Sequence, residues 1–135
     1  MSPEIAATIW VAVGGALGGI ARYAIDNLLT RLAGNNFRWG TLVVNVVGCF
    51  LIGYLGEPAL TSMPFPALPD ARFLIAIGVF GGFTTFSFFS MQTFELLQQG
   101  RVVRALLYVA CSIFLCLGAT ALGLYTAGFG APAPA

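Results

Sequence analysis

Of the 135 residues, 59% are hydrophobic and 8% are charged, and the mean hydropathy is +0.91. An average soluble domain carries about 25% charged residues, so this composition belongs in a bilayer and excludes a water-soluble fold. Six basic residues, all arginine, oppose five acids, and histidine is absent; no basic footprint for nucleic acid and no imidazole for acid–base or metal chemistry is available.

A helix that crosses a ~30 Å hydrocarbon core needs about 20 mostly apolar residues. The first qualifying stretch is 5–29, with Glu4 before it and Arg22 and Asp26 toward its end. The missing basic region ahead of the apolar run argues for a retained span rather than a cleaved signal peptide. Gly14, Gly15, Gly18 and Gly19 form overlapping small-xxx-small spacings on which another helix can pack closely. The polar turn AGNNFR follows, and the second span, 39–57, opens on an interface-type Trp39 and closes before Pro58. EPALTSMPFPALPD has four prolines and reads as an interfacial loop. The third span covers 71–98, ended by QQGR, and the fourth 102–127, leaving GFGAPAPA as a frayed tail. The expectation is one all-α, four-span membrane domain without repeats or a soluble part. So few helices leave little interior, which points to an oligomer. Cys49, Cys111 and Cys116 lack metal-ligand spacing and read as packing residues.

Every acid, Glu4, Asp26, Glu57, Asp70 and Glu95, lies near a span end, so no carboxylate is available at mid-membrane to couple protons or bind an organic cation. Serine and threonine have no histidine or lysine to activate them, which excludes nucleophilic hydrolysis. What remains at depth are neutral donors, and donors suit anions. Thr41 and Asn45 share one helix face, and Tyr108, Ser112, Cys116 and Thr120 share another. The third span carries GGFTTFSFFS, residues 81–90. Gly81-Gly82 followed by Thr84-Thr85 predicts a break between two half-helices, tolerated at depth only where protein, water or an ion satisfies the freed backbone. Beyond it, Phe86 and Phe89 are three residues apart on one face, and a phenyl edge carries partial positive charge.

GGALGGIARY, GTLVVNVVGCFLIG and GGFTTFSFFS together resemble the Fluc (CrcB) family of fluoride channels, over nearly the whole chain. That resemblance implies four transmembrane helices, the third broken near its middle, in an antiparallel homodimer of dual topology in the cell inner membrane. It implies passive fluoride export for fluoride resistance, with no catalysis. Carried over, Asn45 is the anion-donating amide, Phe86 and Phe89 the pore-lining pair, Tyr108, Ser112 and Thr41 a polar track, and Arg22 a vestibule residue. The backbone carbonyls of Gly81 and Thr84 would hold a structural sodium ion at the dimer centre. Two features depart from the pattern: Cys116 stands where a second track hydroxyl is expected, and Arg31, Arg38, Arg101 and Arg104 face one side against Arg72 on the other, an asymmetry that favours a single orientation. The rival readings are a small multidrug-resistance-type transporter, which needs a buried acid, and a scaffold subunit whose polar groups only join helices.

Overall fold

The computed structural model describes residues 2–34, 36–55 and 78–130. Within them lie five helical segments, α1 (Pro3–Ala33), α2 (Trp39–Tyr54), α3 (Phe80–Phe83), α4 (Phe86–Gln98) and α5 (Val102–Gly130), and no strand. The proline-rich loop, the start of the third expected span and the last five residues, 131–135, fall outside the described residues.

α1 begins on Pro3, whose missing N–H is harmless in a first turn. It continues past the expected end at 29 because nothing in 30–33 breaks a helix, and stops at Gly34. There φ is 76° and ψ 177°, a backbone region essentially confined to glycine, and the Gly34 N–H donates to the Thr30 carbonyl at 3.0 Å. α5 likewise runs past the expected limit at 127, to Gly130. α4 ends in a Schellman turn on Gly100 (φ 70°), with Gly100 N–H donating to Leu97 O at 3.0 Å and Arg101 N–H to Leu96 O at 2.9 Å.

Glu4–Ala33 and Val102–Gly128 are long and apolar enough to cross a bilayer, with mean hydropathies of 1.6 and 2.2. α2 spans 16 residues, about 24 Å at the helical rise; the remainder of its expected span lies outside the described residues. Large apolar side chains such as Leu17, Ile20, Phe114 and Leu117 point outward along these helices. That surface is stable only in apolar surroundings, and the chain is a membrane protein.

Glycine decides how the helices meet. A Cβ at Gly53 would strike the Thr120 carbonyl oxygen and one at Gly123 the Phe50 carbonyl oxygen, so α2 and α5 touch backbone to backbone. α1 approaches 78–83 in the same way: a Cβ at Gly18 would strike the Val79 carbonyl oxygen, one at Gly82 the Gly15 carbonyl oxygen, and one at Gly78 would lie 2.9 Å from Gly14 Cα. The glycine stripe of the first helix is therefore occupied within the chain. Gly19, beside them, has open space where a Cβ would be. At one end Leu42, Leu96, Ala105 and Tyr108 form a core with Phe37, Val46, Phe89 and Cys111 packed around it. Arg38 pairs with Glu95 there at 2.6 Å, fastening the start of α2 to the last turn of α4.

Gly18→Val should lower the unfolding stability in detergent by about 2 kcal/mol or more, because the backbone it strikes cannot move aside as a side chain would. Gly19→Ala, made beside it, should unfold with the parent chain. Equal thermal midpoints for Gly18→Val and the parent would remove the close α1–α3 contact from the fold.

Candidate functional site

Two extended residues separate α3 from α4: Thr84 (φ −76°, ψ 154°) and Thr85 (φ −150°, ψ 117°). An interruption of this kind strands backbone groups that a continuous helix would pair, and side chains take over here. Thr84 N–H and Oγ1–H both donate to the Phe80 carbonyl at 3.0 Å. Thr85 Oγ1 caps α4 by accepting from the Phe88 N–H at 3.2 Å. The remaining Thr85 groups turn to α2, where the N–H donates to Asn45 Oδ1 at 2.8 Å and Asn45 Nδ2 donates to the Thr85 carbonyl at 3.0 Å.

Asn45 thus offers one amide, acceptor and donor together, as a substitute for the backbone strand Thr85 lacks. Gly48, one turn on, makes room for this approach, since a Cβ there would strike Thr84 Cγ2. On the opposite side Arg22 of α1 donates from Nε to the Gly82 carbonyl at 3.3 Å, and its guanidinium lies 4.9 Å from the centre of the Phe88 ring. A cation at the carbonyl end of a short helix offsets the partial charge of its unpaired carbonyls.

These rearrangements leave two carbonyls without their customary donors. The Thr85 N–H, which a continued helix would place on the Gly81 carbonyl, goes to Asn45. The Phe88 N–H, which would serve the Thr84 carbonyl, goes to Thr85 Oγ1. Gly81 is exposed at the surface of the chain, with nothing within 4 Å of where its Cβ would be.

Beside the break runs a groove of about 420 Å³, open on one side. Asn45, Cys49 and Ile52 of α2 line it, with Thr84, Thr85, Phe86 and Phe89 from the break and α4, and Ser112, Ile113, Cys116 and Leu117 from α5. The rings of Phe86 and Phe89 lie 5.6 Å apart, tilted by 45°; Phe89 is half-buried, and Phe86 is 78% exposed.

Ser112 differs from every other hydroxyl near it. Thr8, Ser90, Thr93, Thr120 and Thr126 all bond the carbonyl four residues back, the usual resting place for a helical hydroxyl. Ser112 Oγ, at 7% exposure, has no hydrogen-bond partner, and it is the only buried side-chain oxygen or nitrogen among the described residues of which this holds. A buried hydroxyl left unpaired costs about 1–3 kcal/mol.

The groove therefore gathers Asn45, Phe86, Phe89 and Ser112 together with Thr84. It does not include Thr41 or Tyr108. Tyr108 lies behind Phe89, ring centres 5.4 Å apart, fully buried, with its hydroxyl donating to Gln92 Oε1 at 3.0 Å and Thr41 as a second hydrogen-bonding neighbour. Both support the wall rather than line it. Arg22 and Gly81 also sit outside the lining. Thr85, read from the sequence only as part of the break, holds Asn45. Two participants escaped the sequence reading of the site: Gln92 satisfies Tyr108, and Cys49, classed as packing, stands one helical turn from Asn45 on the lining face. For Cys49 a signal was present in that i, i+4 spacing.

The profile described as CrcB-like protein, Camphor Resistance (CrcB), matches residues 9–124. Among similar proteins, one from Methylobacterium radiotolerans is 44% identical over 115 residues, covering 85% of this chain and 80% of its own length. One from Rhizobium johnstonii is 45% identical over 116 residues (86% and 91%), and one from Geobacter sp. strain M21 is 42% identical over 119 (88% and 94%). Each of the three bears the name fluoride-specific ion channel FluC.

The two polar side chains of the groove should respond oppositely to truncation. Asn45→Ala strands the Thr85 N–H and carbonyl and should cost about 2–4 kcal/mol of stability, whereas Ser112→Ala removes an unpaired hydroxyl and should leave stability unchanged or raised. Denaturant or thermal unfolding of the purified variants measures both. An Asn45→Ala chain as stable as the parent would show that the amide does not hold the break.

Proposed function

Since the chain belongs to the CrcB family, we propose that it is a fluoride-selective channel, conducting the ion passively through the groove beside the break, and not an enzyme. The observation that carries this reading is the buried, unpartnered hydroxyl of Ser112 in a groove that it shares with the Asn45 amide and the rings of Phe86 and Phe89. Fluoride is small, strongly hydrated and a strong acceptor, so a path selective for it must return several donors at once in place of water. Ser112 Oγ–H supplies one. The Asn45 N–H not used on Thr85 supplies another, and the edges of Phe86 and Phe89 add partial positive charge. None is a full cation, so the ion is solvated without being trapped.

The rival readings fit less well. A multidrug-type exchanger works through a buried acid, but the described acids lie elsewhere: Asp26 packs beside Gly40 at the start of α2, and Glu95 is engaged by Arg38. A scaffold would use its hydroxyls to join helices, and Ser112 joins nothing.

The open side of the groove, the exposed ring of Phe86 and the surface position of Gly81 support an antiparallel homodimer in the inner membrane, in which a second copy closes the path. The Gly81 and Thr84 carbonyls, relieved of their helical donors, fit a sodium ion shared between two such breaks. Held by four hard carbonyl oxygens from two chains, the ion would satisfy groups that are costly to leave unpaired in a dry interior. The ion would fix the two breaks together, while Asn45 and Arg22 hold each break within its own chain.

Efflux from liposomes containing the purified protein tests the reading, with fluoride and chloride measured side by side. The parent chain should release fluoride and retain chloride. Ser112→Ala should slow fluoride about tenfold or more, the kinetic counterpart of one lost hydrogen bond to an ion, while folding normally. Phe86→Ile and Phe89→Ile, which keep bulk but lose the ring edge, should slow it as well. Parent rates in all three variants would overturn the groove as the path.

Exchange of sodium for a large organic cation through purification and long equilibration should abolish fluoride efflux and loosen the dimer, and restored sodium should recover both. Unchanged efflux and dimer content after exchange would exclude the cation.

A further inference from the structure

The search beyond the fluoride path leads to two thiols. Cys49 of α2 and Cys116 of α5 are both unoxidised, both half-buried, and both line the groove. Both side chains face the same stretch of the groove, one from each helix. Thr120 Oγ1 donates to the Cys49 carbonyl at 3.3 Å and to the Cys116 carbonyl at 3.1 Å, so one hydroxyl ties the two backbones at this level. One turn further along, Gly53 and Gly123 bring α2 and α5 into backbone contact. The two cysteines are therefore held at one level of the groove by helices that cannot spread.

We propose that Cys49 and Cys116 form a two-thiol site for a thiophilic divalent ion of linear coordination, of the mercuric type, whose binding closes the groove. This rests on the reading of that groove as the fluoride path. Soft sulfur ligands select soft ions, and among the described residues no cluster of three or more His, Cys, Asp or Glu exists to complete a tetrahedral site. An ion satisfied by two sulfurs in line fits, and zinc, which takes four ligands, does not. On binding, two S–H bonds break, two metal–sulfur bonds form, and two protons leave through the open side of the groove. No oxidation state changes. Two thiolates on a divalent ion make a neutral complex, which a low-dielectric site tolerates, whereas the same thiolates on a monovalent ion would leave a buried negative charge.

The bound ion would stand beside the hydroxyl that the channel reading depends on. Ser112 is one turn from Cys116 on α5, and Asn45 one turn from Cys49 on α2, so metal in the thiol pair intrudes on the lining that carries both donors. Cys111, the third cysteine, packs against the Tyr108 cluster and is outside the groove.

The test uses the intact purified chain and mercuric chloride at one equivalent, with two readouts. Intact-mass measurement after desalting should show one mercury per chain, and alkylation mapping should show Cys49 and Cys116 protected together while Cys111 reacts as before. In liposomes, fluoride efflux should fall about tenfold or more and return with excess dithiol. Cys49→Ser and Cys116→Ser, each compared with its own untreated rate, should lose both the retained mercury and the inhibition. Because Cys111 can hold mercury through one sulfur, the count is made on a Cys111→Ser background, where mercury retained equally with and without Cys49 and Cys116 overturns the site. Mercury bound to both thiols with undiminished efflux overturns closure. An untreated chain that conducts no fluoride condemns the channel reading instead, and the mass and alkylation results then still judge the dithiol site.

Discussion

One side-chain amide holds the centre of this protein together. A helix that stops and restarts inside a membrane exposes an N–H and a carbonyl where no water can serve them, at a cost of several kcal/mol for each group left unpaired. Asn45 meets both demands of Thr85 at 2.8 and 3.0 Å. Among side chains only glutamine carries the same planar pairing of one amide N–H and one carbonyl oxygen, and it is longer by one methylene. The interruption, the position of α2 and the shape of the groove all follow from that pairing.

The amide reaches its partner only because the helices come unusually close. Gly48 leaves room for Thr84 against α2, and Gly15, Gly18 and Gly82 let α1 press on the other face of the break. Arg22, from that same face, holds the Gly82 carbonyl. The break is thus clamped from two sides by different chemistry, with a neutral amide on the groove side and a cation on the far side. A guanidinium in the groove itself would bind an anion too firmly to release it; on the far side it stabilises the carbonyl end of α3 and stays out of the path.

Much of this was legible in the sequence. Apolar length announced the membrane, and the glycine–threonine run marked where regular helix was least favourable. The i, i+4 spacing that paired Thr41 with Asn45, and Tyr108 with Ser112, was real as a statement about helix faces. It could not say which end of a stripe turns into the groove and which into the core. Tyr108 is buried against Phe89 and bonded to Gln92 because a phenol needs both an apolar bed and a partner, and the sequence gives no distance from residue 108 to residue 92. The glycine stripe of α1 was legible as a close contact, but its partner was not, since small residues specify proximity without naming the neighbour. The end of α1 shifted too: Gly34, rather than a count of apolar residues, bounds it.

The two polar groups of the groove divide the work between holding the fold and leaving something over. Asn45 is largely committed to the backbone, so its contribution to any passing ion is the one N–H left after Thr85 is served. Ser112 is uncommitted and carries an energetic cost for being so. Rotation about χ1 is all that would be needed to place that hydroxyl on the Tyr108 carbonyl one turn back, where six other described hydroxyls sit on theirs. On the proposed path, an ion that accepts a hydrogen bond from Ser112 would recover that cost as it passes and return it on leaving. Such a site binds weakly by construction, because its gain is the relief of one unsatisfied donor rather than the attraction of a fixed charge. Weak, neutral and dry solvation discriminates among anions by how closely they approach the donor, which places the smallest and strongest acceptor first.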